Sequence, residues 1–158
     1  MNERTKTALI SGITGQDGSY LAEFLLAKGY KVHGTSRDAE MNNFTSLITL
    51  GIKDLIEFHS VSLTDFRNVL QVLDKVAPNE IYNLSGQSSV GLSFEQPLET
   101  LESIAMATIN ILESMRFLGA NFRFYNATSS ESFGDTGDLP ANENTPVSYT
   151  HLRAHETT

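Results

Sequence analysis

Residues 7–28 read TALISGITGQDGSYLAEFLLAK: a short apolar run, a loop with glycine at every third position, and an amphipathic stretch. Ala8, Leu9 and Ile10 form the strand candidate. Tyr20, Leu21, Phe24 and Leu25 fall at helical spacing and predict one apolar face. Strand, glycine loop and helix in this order open a Rossmann unit. Gly12 permits the tight turn, Gly15 lets backbone approach a pyrophosphate, and Gly18 lets the helix lie close to the strand. A pyrophosphate placed here meets free N–H groups and the positive end of the helix dipole. The loop Gly12-Ile13-Thr14-Gly15-Gln16-Asp17-Gly18 is therefore the candidate phosphate cradle. Its G-x-x-G-x-x-G spacing differs from the commoner G-x-G-x-x-G, and a merely tight βα turn is the plainer alternative.

Outward from this unit the chain alternates strand and helix signals. Lys31–Thr35 predicts a second strand, Leu55–His59 a third, Glu80–Leu84 a fourth and Phe122–Ala127 a fifth. Residues 42–50 suit a short helix or irregular connection. A helix is predicted over Phe66–Val76, with Phe66, Val69, Leu70 and Leu73 on one face. A longer one runs from Glu95-Gln96-Pro97 to about Leu118, with Gly119 as its stop. The expected fold is α/β, a Rossmann-type doubly wound parallel sheet with right-handed crossovers, truncated after about five strands.

Composition narrows the function classes. The chain has 158 residues and a formal net charge of -8, which disfavours a general nucleic-acid or anionic-membrane binder. It has no cysteine, so thiolate catalysis, disulfides and cysteine metal sites are excluded for this sequence. The histidines at 33, 59, 151 and 155 show no metal-ligand spacing, and no metal is expected. The first six residues are polar and lack a signal-peptide core, and no apolar run approaches membrane-spanning length. A cytoplasmic protein is expected.

Two further stretches carry candidate chemistry. Ser36-Arg37-Asp38 follows the second strand, where the adenosine ribose lies in dinucleotide folds. Arg37 suits the 2′-phosphate of NADP, Asp38 offers a carboxylate to a ribose hydroxyl, and both also read as solvated loop charges. Thr128-Ser129-Ser130-Glu131 follows the fifth strand. A hydroxyl there can hold a substrate oxygen and a carboxylate can act as general base. The same residues also read as a helix cap, with Thr128 or Ser129 at the N-cap and Glu131 in the first turn.

Four segments taken together, GITGQDGSYLAEFLLAKGYKVHG, IYNLSGQSSVGLSFEQP, MRFLG and RFYNATSSESFG, resemble the GDP-mannose 4,6-dehydratases, a family of extended short-chain dehydrogenase/reductases. The resemblance covers about Lys6 to Pro146. It implies NADP as cofactor, GDP-mannose as substrate and a homo-oligomer when full length. By match, Gly12 to Asp17 bind pyrophosphate, Arg37 the 2′-phosphate, and Leu84, Ser85, Gly86, Gln87 and Ser88 the ribose and nicotinamide side. Ser62 and Leu63 fall at the adenine contact. Ser129 would orient the C4 oxygen and Glu131 would remove the C5 proton. Three positions depart from the pattern: Ser129 where threonine is frequent, Ser62 in place of the Asp of an Asp-Leu pair, and Glu99 where tyrosine is common. Another nucleotide-sugar epimerase or reductase of the same family, and a non-catalytic NADP-binding module, are the alternatives.

The family's Tyr-x-x-x-Lys pair is absent from this sequence. Tyr149 to Arg153 imitates the spacing but ends in arginine, which does not replace lysine conservatively. VSYTHLRAHET, residues 147–157, resembles one translated frame of a transposase-type sequencing adapter. Residues 1–146 are thus expected to be an incomplete NADP-binding domain, residues 147–158 a non-native tail, and the sugar-nucleotide domain missing. A divergent natural tail is the alternative. As written, the chain is expected to be inactive and poorly stable.

Overall fold

The computed structural model describes residues 5–133, 136–137 and 140–147; the side chains of Val90, Ser130 and Glu131 lie outside that set. The chain divides into two units, Met1–Asn126 and Ala127–Thr158.

The first unit is built on five strands: β1 (Thr7–Ser11), β2 (Lys31–Ser36), β3 (Ile56–Ser60), β4 (Glu80–Asn83) and β5 (Arg123–Asn126). They pair in the order β3-β2-β1-β4-β5, and every pair is parallel. Parallel neighbours need crossover connections, and the helices supply them. These are α1 (Gln16–Ala27), α2 (Thr45–Thr49), α3 (Phe66–Val76), α4 (Val90–Glu95), α5 (Pro97–Leu101) and α6 (Ala107–Leu118).

Side chains alternate across the sheet and so build two cores. Ala8 and Ile10 of β1 join Val32 and Ile56 beneath Ala22 and Leu25 of α1 and Leu47 of α2. Leu9 points the other way and joins Ile81, with Val69, Val72 and Leu73 of α3 and Ile111 of α6. The sheet is covered on both faces, as a doubly wound parallel sheet must be. The sequence order reverses on either side of β1, so the β1 carboxyl end is the switch point where such sheets open a crevice.

One expectation about helices is corrected and one is refined. Tyr20 and Phe24 of α1 are 56% and 54% exposed, so they do not form its buried face. The buried stripe is Gly18, Ala22 and Leu25. Small residues at 18 and 22 let the helix approach the sheet closely, which turns the large aromatics outward. The helix predicted from Glu95-Gln96-Pro97 to about Leu118 opens at Pro97 and ends at Leu118 as read, but it is neither uniform nor the first helix after β4. Helix formation begins earlier, at Val90, with the Ser89 hydroxyl accepting from the Leu92 N–H at 3.4 Å. It breaks at Gln96, resumes with Pro97 at its first position, and passes through a π-helical turn at Glu102–Met106 before α6. Proline lacks an N–H and disfavours helical backbone in the residue before it, which accounts for the break. Ile104, Ile109 and Leu112 on this stretch are close to half exposed, whereas Ala107, Asn110, Ile111 and Ser114 are buried. Gly119 ends α6 in the left-handed region, as expected.

In the second unit, the predicted cap after β5 is a single 3₁₀ turn over Ser130–Phe133. Among the described residues no helix is long and apolar enough to cross a membrane.

Candidate dinucleotide-binding cleft

The cradle at the end of β1 is held by close backbone packing. Gly12 has φ +78°, and a Cβ there would lie 2.5 Å from the Leu84 carbonyl oxygen and 2.9 Å from the Ser85 nitrogen. A Cβ on Gly18 would press on the Gly12 carbonyl oxygen and stand 2.7 Å from the Ile13 Cα. The turn closes through the Gly15 N–H on the Gly12 carbonyl (3.0 Å), and Gly15 serves as N-cap of α1 without a side-chain cap bond. The first-turn N–H groups are therefore left to a ligand or water. Thr14, Gly15, Gln16 and Asp17 are exposed on this loop.

Ile13 differs from its neighbours. Its side chain is fully buried in the α1-side core. It fits because Gly34 of β2 has no Cβ: one there would lie 2.7 Å from Ile13 Cδ1. Ile13 can offer a ligand only its backbone. The Gly34 requirement is hidden inside a strand, and nothing in the local sequence signals it.

A polar ladder ties the three strand ends below the cradle. Ser11, Asn83 and Asn126 stand in register across β1, β4 and β5. Asn83 is 2% exposed. Its Oδ1 accepts from Ser11 Oγ (2.9 Å) and Ser85 Oγ (2.6 Å), and its Nδ2 donates to Asn126 Oδ1 (2.7 Å). The Leu84 N–H donates to the Ser11 carbonyl at 3.0 Å. These bonds set the height of the Leu84-Ser85 backbone against Gly12. A buried asparagine with both amide atoms satisfied is a positioning element. The period-two pattern of β4 gives no hint of it.

A cleft of about 1100 Å³ opens at this end of the unit. Of the residues read from sequence, Gly12, Thr14, Arg37, Ser62, Leu63, Gly86 and Gln87 line it. Leu84 and Ser85 are half-buried beneath Gly12, and Ser88 is exposed outside the lining. Gly86 has φ +140°, and its missing Cβ leaves room for Ile104, 3.2 Å away. Gln87 is fixed by its N–H on Ser103 Oγ (3.4 Å) and by Oε1 accepting from the Ser89 N–H (3.1 Å).

At the opposite end, Asp38 Oδ1 accepts from the N–H groups of Glu40 (3.1 Å) and Met41 (3.0 Å). That carboxylate organises its own turn. Arg37 has no hydrogen-bond or ion-pair partner among the described residues and is the sole cation among the described lining residues. Four carboxylates, Asp38, Glu95, Glu99 and Glu102, share the lining. Ser62 Oγ and Thr64 Oγ1 are 3.0 Å apart, and the Leu63 carbonyl accepts from Asn110 Nδ2 at 2.9 Å. The lining thus pairs a glycine-built backbone cradle with a lone guanidinium. That combination suits a ligand carrying a pyrophosphate and a further anionic group.

A family model described as GDP-mannose 4,6 dehydratase matches residues 9–150. The chain belongs to the GDP-mannose 4,6-dehydratase family.

A family member from Vibrio cholerae serotype O1 is 46% identical over 149 residues, which take in 89% of this chain and 40% of that protein. One from Drosophila melanogaster is 43% identical over 153 residues, covering 92% of this chain and 39% of that protein. The chain spans about 40% of the length of these curated relatives. Among solved structures, the UDP-glucose 4-epimerase of Thermus thermophilus in complex with NAD superposes with TM-score 0.75 at 24% identity, over 90% of this chain and 44% of that one. The Bordetella bronchiseptica enzyme WbmH in complex with NAD+ gives TM-score 0.73 at 22% identity, over 92% and 47%. Both share the Rossmann-type fold with this chain.

Ser129 and Glu131 belong to the second unit. The Ser129 carbonyl accepts from both the Ser132 N–H (3.2 Å) and the Ser132 hydroxyl (2.8 Å), so the backbone is turned there. Glu131 sits in the 3₁₀ turn, and its side chain lies outside the described residues, as do Tyr149 and residues 148–158.

Two of the histidines meet across strands. Parallel pairing of β2 with β3 sets His33 opposite Glu57 and Thr35 opposite His59. His33 and His59 are thereby brought into contact, although 26 positions separate them in sequence.

Proposed function

We propose that this chain is the NADP-binding part of an enzyme that dehydrates GDP-mannose to GDP-4-keto-6-deoxymannose. The observation that carries the reading is the family match across residues 9–150. The cradle supports it: Gly12 and Gly18 stand where a Cβ would strike backbone, so the tight turn and the close helix–strand packing of a dinucleotide loop both depend on them. Bound NADP+ supplies a hydride acceptor that also returns the hydride, so the net reaction is loss of water. The loop from Gly12 to Gly18 holds the pyrophosphate through backbone N–H groups, Ile13 included. Arg37 holds the 2′-phosphate. Ser62 and Leu63 flank the adenine, and Leu84, Ser85, Gly86, Gln87 and Ser88 border the nicotinamide ribose.

The proton steps belong to the end of β5. Ser129 donates a hydrogen bond to the C4 oxygen of the sugar. Oxidation at C4 acidifies the C5 proton. Glu131 takes that proton and returns it to the departing C6 hydroxyl, which leaves as water; the hydride taken from C4 then adds to C6 of the resulting alkene, and C5 takes up the proton that the C4 hydroxyl released. The whole protein is cytoplasmic and a homo-oligomer in this reading; the half-exposed Ile104, Ile109 and Leu112 support assembly. Residues 1–146 are its native part.

Glu131→Gln, made in the protein extended through its sugar-nucleotide domain, is the test. The variant is expected to lose at least about a thousandfold in dehydration while retaining NADP binding. Retained dehydration would overturn the assignment of the base. Epimerisation of a nucleotide sugar that survives the substitution would move the protein to the epimerase branch of the same fold.

A further inference from the structure

Away from the cleft, on the α3 side of the sheet, three side chains converge at the β2–β3 edge. His33 Nδ1 and His59 Nε2 are 2.8 Å apart, with their rings stacked at 14°. Glu57 Oε2 is 3.8 Å from His33 Nδ1, and Glu57 Oε1 is 3.9 Å from His59 Nε2. One ligand atom from each residue lies within 4.8 Å of the others. We infer that His33, Glu57 and His59 form a binding site for a borderline divalent cation such as Zn²⁺, bridging the edge strand β3 to β2.

The geometry suits that ion. Zn²⁺ holds imidazole nitrogen and carboxylate oxygen at about 2.0–2.2 Å, so tetrahedral ligand atoms lie about 3.4 Å apart. The two nitrogens lie closer than this value, at 2.8 Å, and any one Glu57 oxygen lies farther, within 4.8 Å, so a swing of the Glu57 carboxylate closes the set. The histidines are rigid donors, with side chains only 5% and 9% exposed, whereas Glu57 is 46% exposed and can swing. Neutral rings present lone pairs to a metal once the single shared proton moves to an outer ring nitrogen. Two histidines and one carboxylate leave a fourth position for water. His59 also borders a groove of about 510 Å³, which provides an entry path.

Two cations oppose the ion: Lys75, which lines that groove beside His59, and Lys31. Lys31 Nζ pairs with Glu57 Oε2 at 3.2 Å and must release it. This competitor supplies a test that misfolding cannot mimic.

The measurement is calorimetric titration of Zn²⁺ into the metal-free chain carrying His151→Ala and His155→Ala, which removes the two other histidines. The expected result is one ion per chain. Glu57→Gln and His59→Gln should each weaken binding by at least about tenfold. Lys31→Ala should tighten it by about threefold by freeing Glu57. Mg²⁺, which demands octahedral oxygen ligands, should not compete. Zn²⁺ at about one hundred times its Kd should raise Tm by several degrees. Absence of stoichiometric uptake would overturn the inference. So would affinity unmoved by Glu57→Gln together with no gain in Lys31→Ala.

Discussion

The two ends of the cleft are built from different materials. At the glycine-loop end, geometry is set by backbone against backbone: Gly12 against Leu84 and Ser85, Gly18 against Gly12 and Ile13. At the Arg37 end, it is set by side chains: Arg37 without a partner among the described residues, Asp38 folded onto its own turn, Ser62 beside Thr64. A residue that must lack a Cβ has one permissible identity, so the first end tolerates almost no change. A residue that supplies charge to a ligand has several near-substitutes, and the fold does not depend on it. Substitutions at the first end should therefore cost folding, and those at the second should cost ligand selectivity.

Gly12→Ala is the severest way to test that division. It forces an L-residue into φ +78° and drives a Cβ to 2.5 Å from the Leu84 oxygen. Strain plus overpacking should destabilise the first unit by about 3 kcal/mol, measured by urea denaturation. A loss well below about 1 kcal/mol would show that the cradle relaxes and that the backbone end is not rigid.

Asn83→Ala comes next. It strips Ser11, Ser85 and Asn126 of a shared partner while leaving every glycine in place. Unpaired buried polar groups should cost about 2 kcal/mol. Ligand affinity should fall further than stability alone explains, because the Leu84-Ser85 backbone is no longer held against Gly12. Equal losses in Asn83→Ala and in a remote core variant of the same stability would reduce the ladder to ordinary packing.

The smallest effect has the opposite sign and lies outside the cleft. Ser114 of α6 is fully buried, and its Oγ has no hydrogen-bond partner among the described residues. Ser114→Ala removes an unsatisfied hydroxyl and gains helix propensity, so stability should rise by about 1 kcal/mol with ligand binding unchanged.

The same division explains what is legible in the sequence. The order of strands and helices is legible because parallel βα units impose strong periodicity and glycine punctuation. The bounds of α3, Phe66–Val76, agree with the sequence reading, since Asp65 caps its start by accepting from the Asn68 N–H and apolar spacing is regular. The face of α1 misleads because hydrophobicity ranks Tyr20 and Phe24 above Gly18 and Ala22, while close packing selects for smallness. Pro97 announces the start of α5, whereas the short helix before it, Val90–Glu95, and the π-helical turn at Glu102–Met106 do not show in the apolar spacing. Gly34, Asn83 and the His33–His59 contact stay hidden because each depends on a neighbour in another strand, and register is not written locally. At the site, the glycines announce themselves. The isolation of Arg37 and the self-engagement of Asp38 emerge only with the turn.

The central claim is that the cleft takes NADP and that Arg37 reads its 2′-phosphate. The direct measurement is the Kd of NADPH and of NADH for the chain and for Arg37→Ala. The account predicts tighter binding of NADPH. It also predicts at least about a tenfold loss of NADPH affinity in the variant, from one charge-assisted contact, with NADH affinity unchanged within about twofold. Equal affinities for the two nucleotides, or an Arg37→Ala variant that still prefers NADPH, would contradict it.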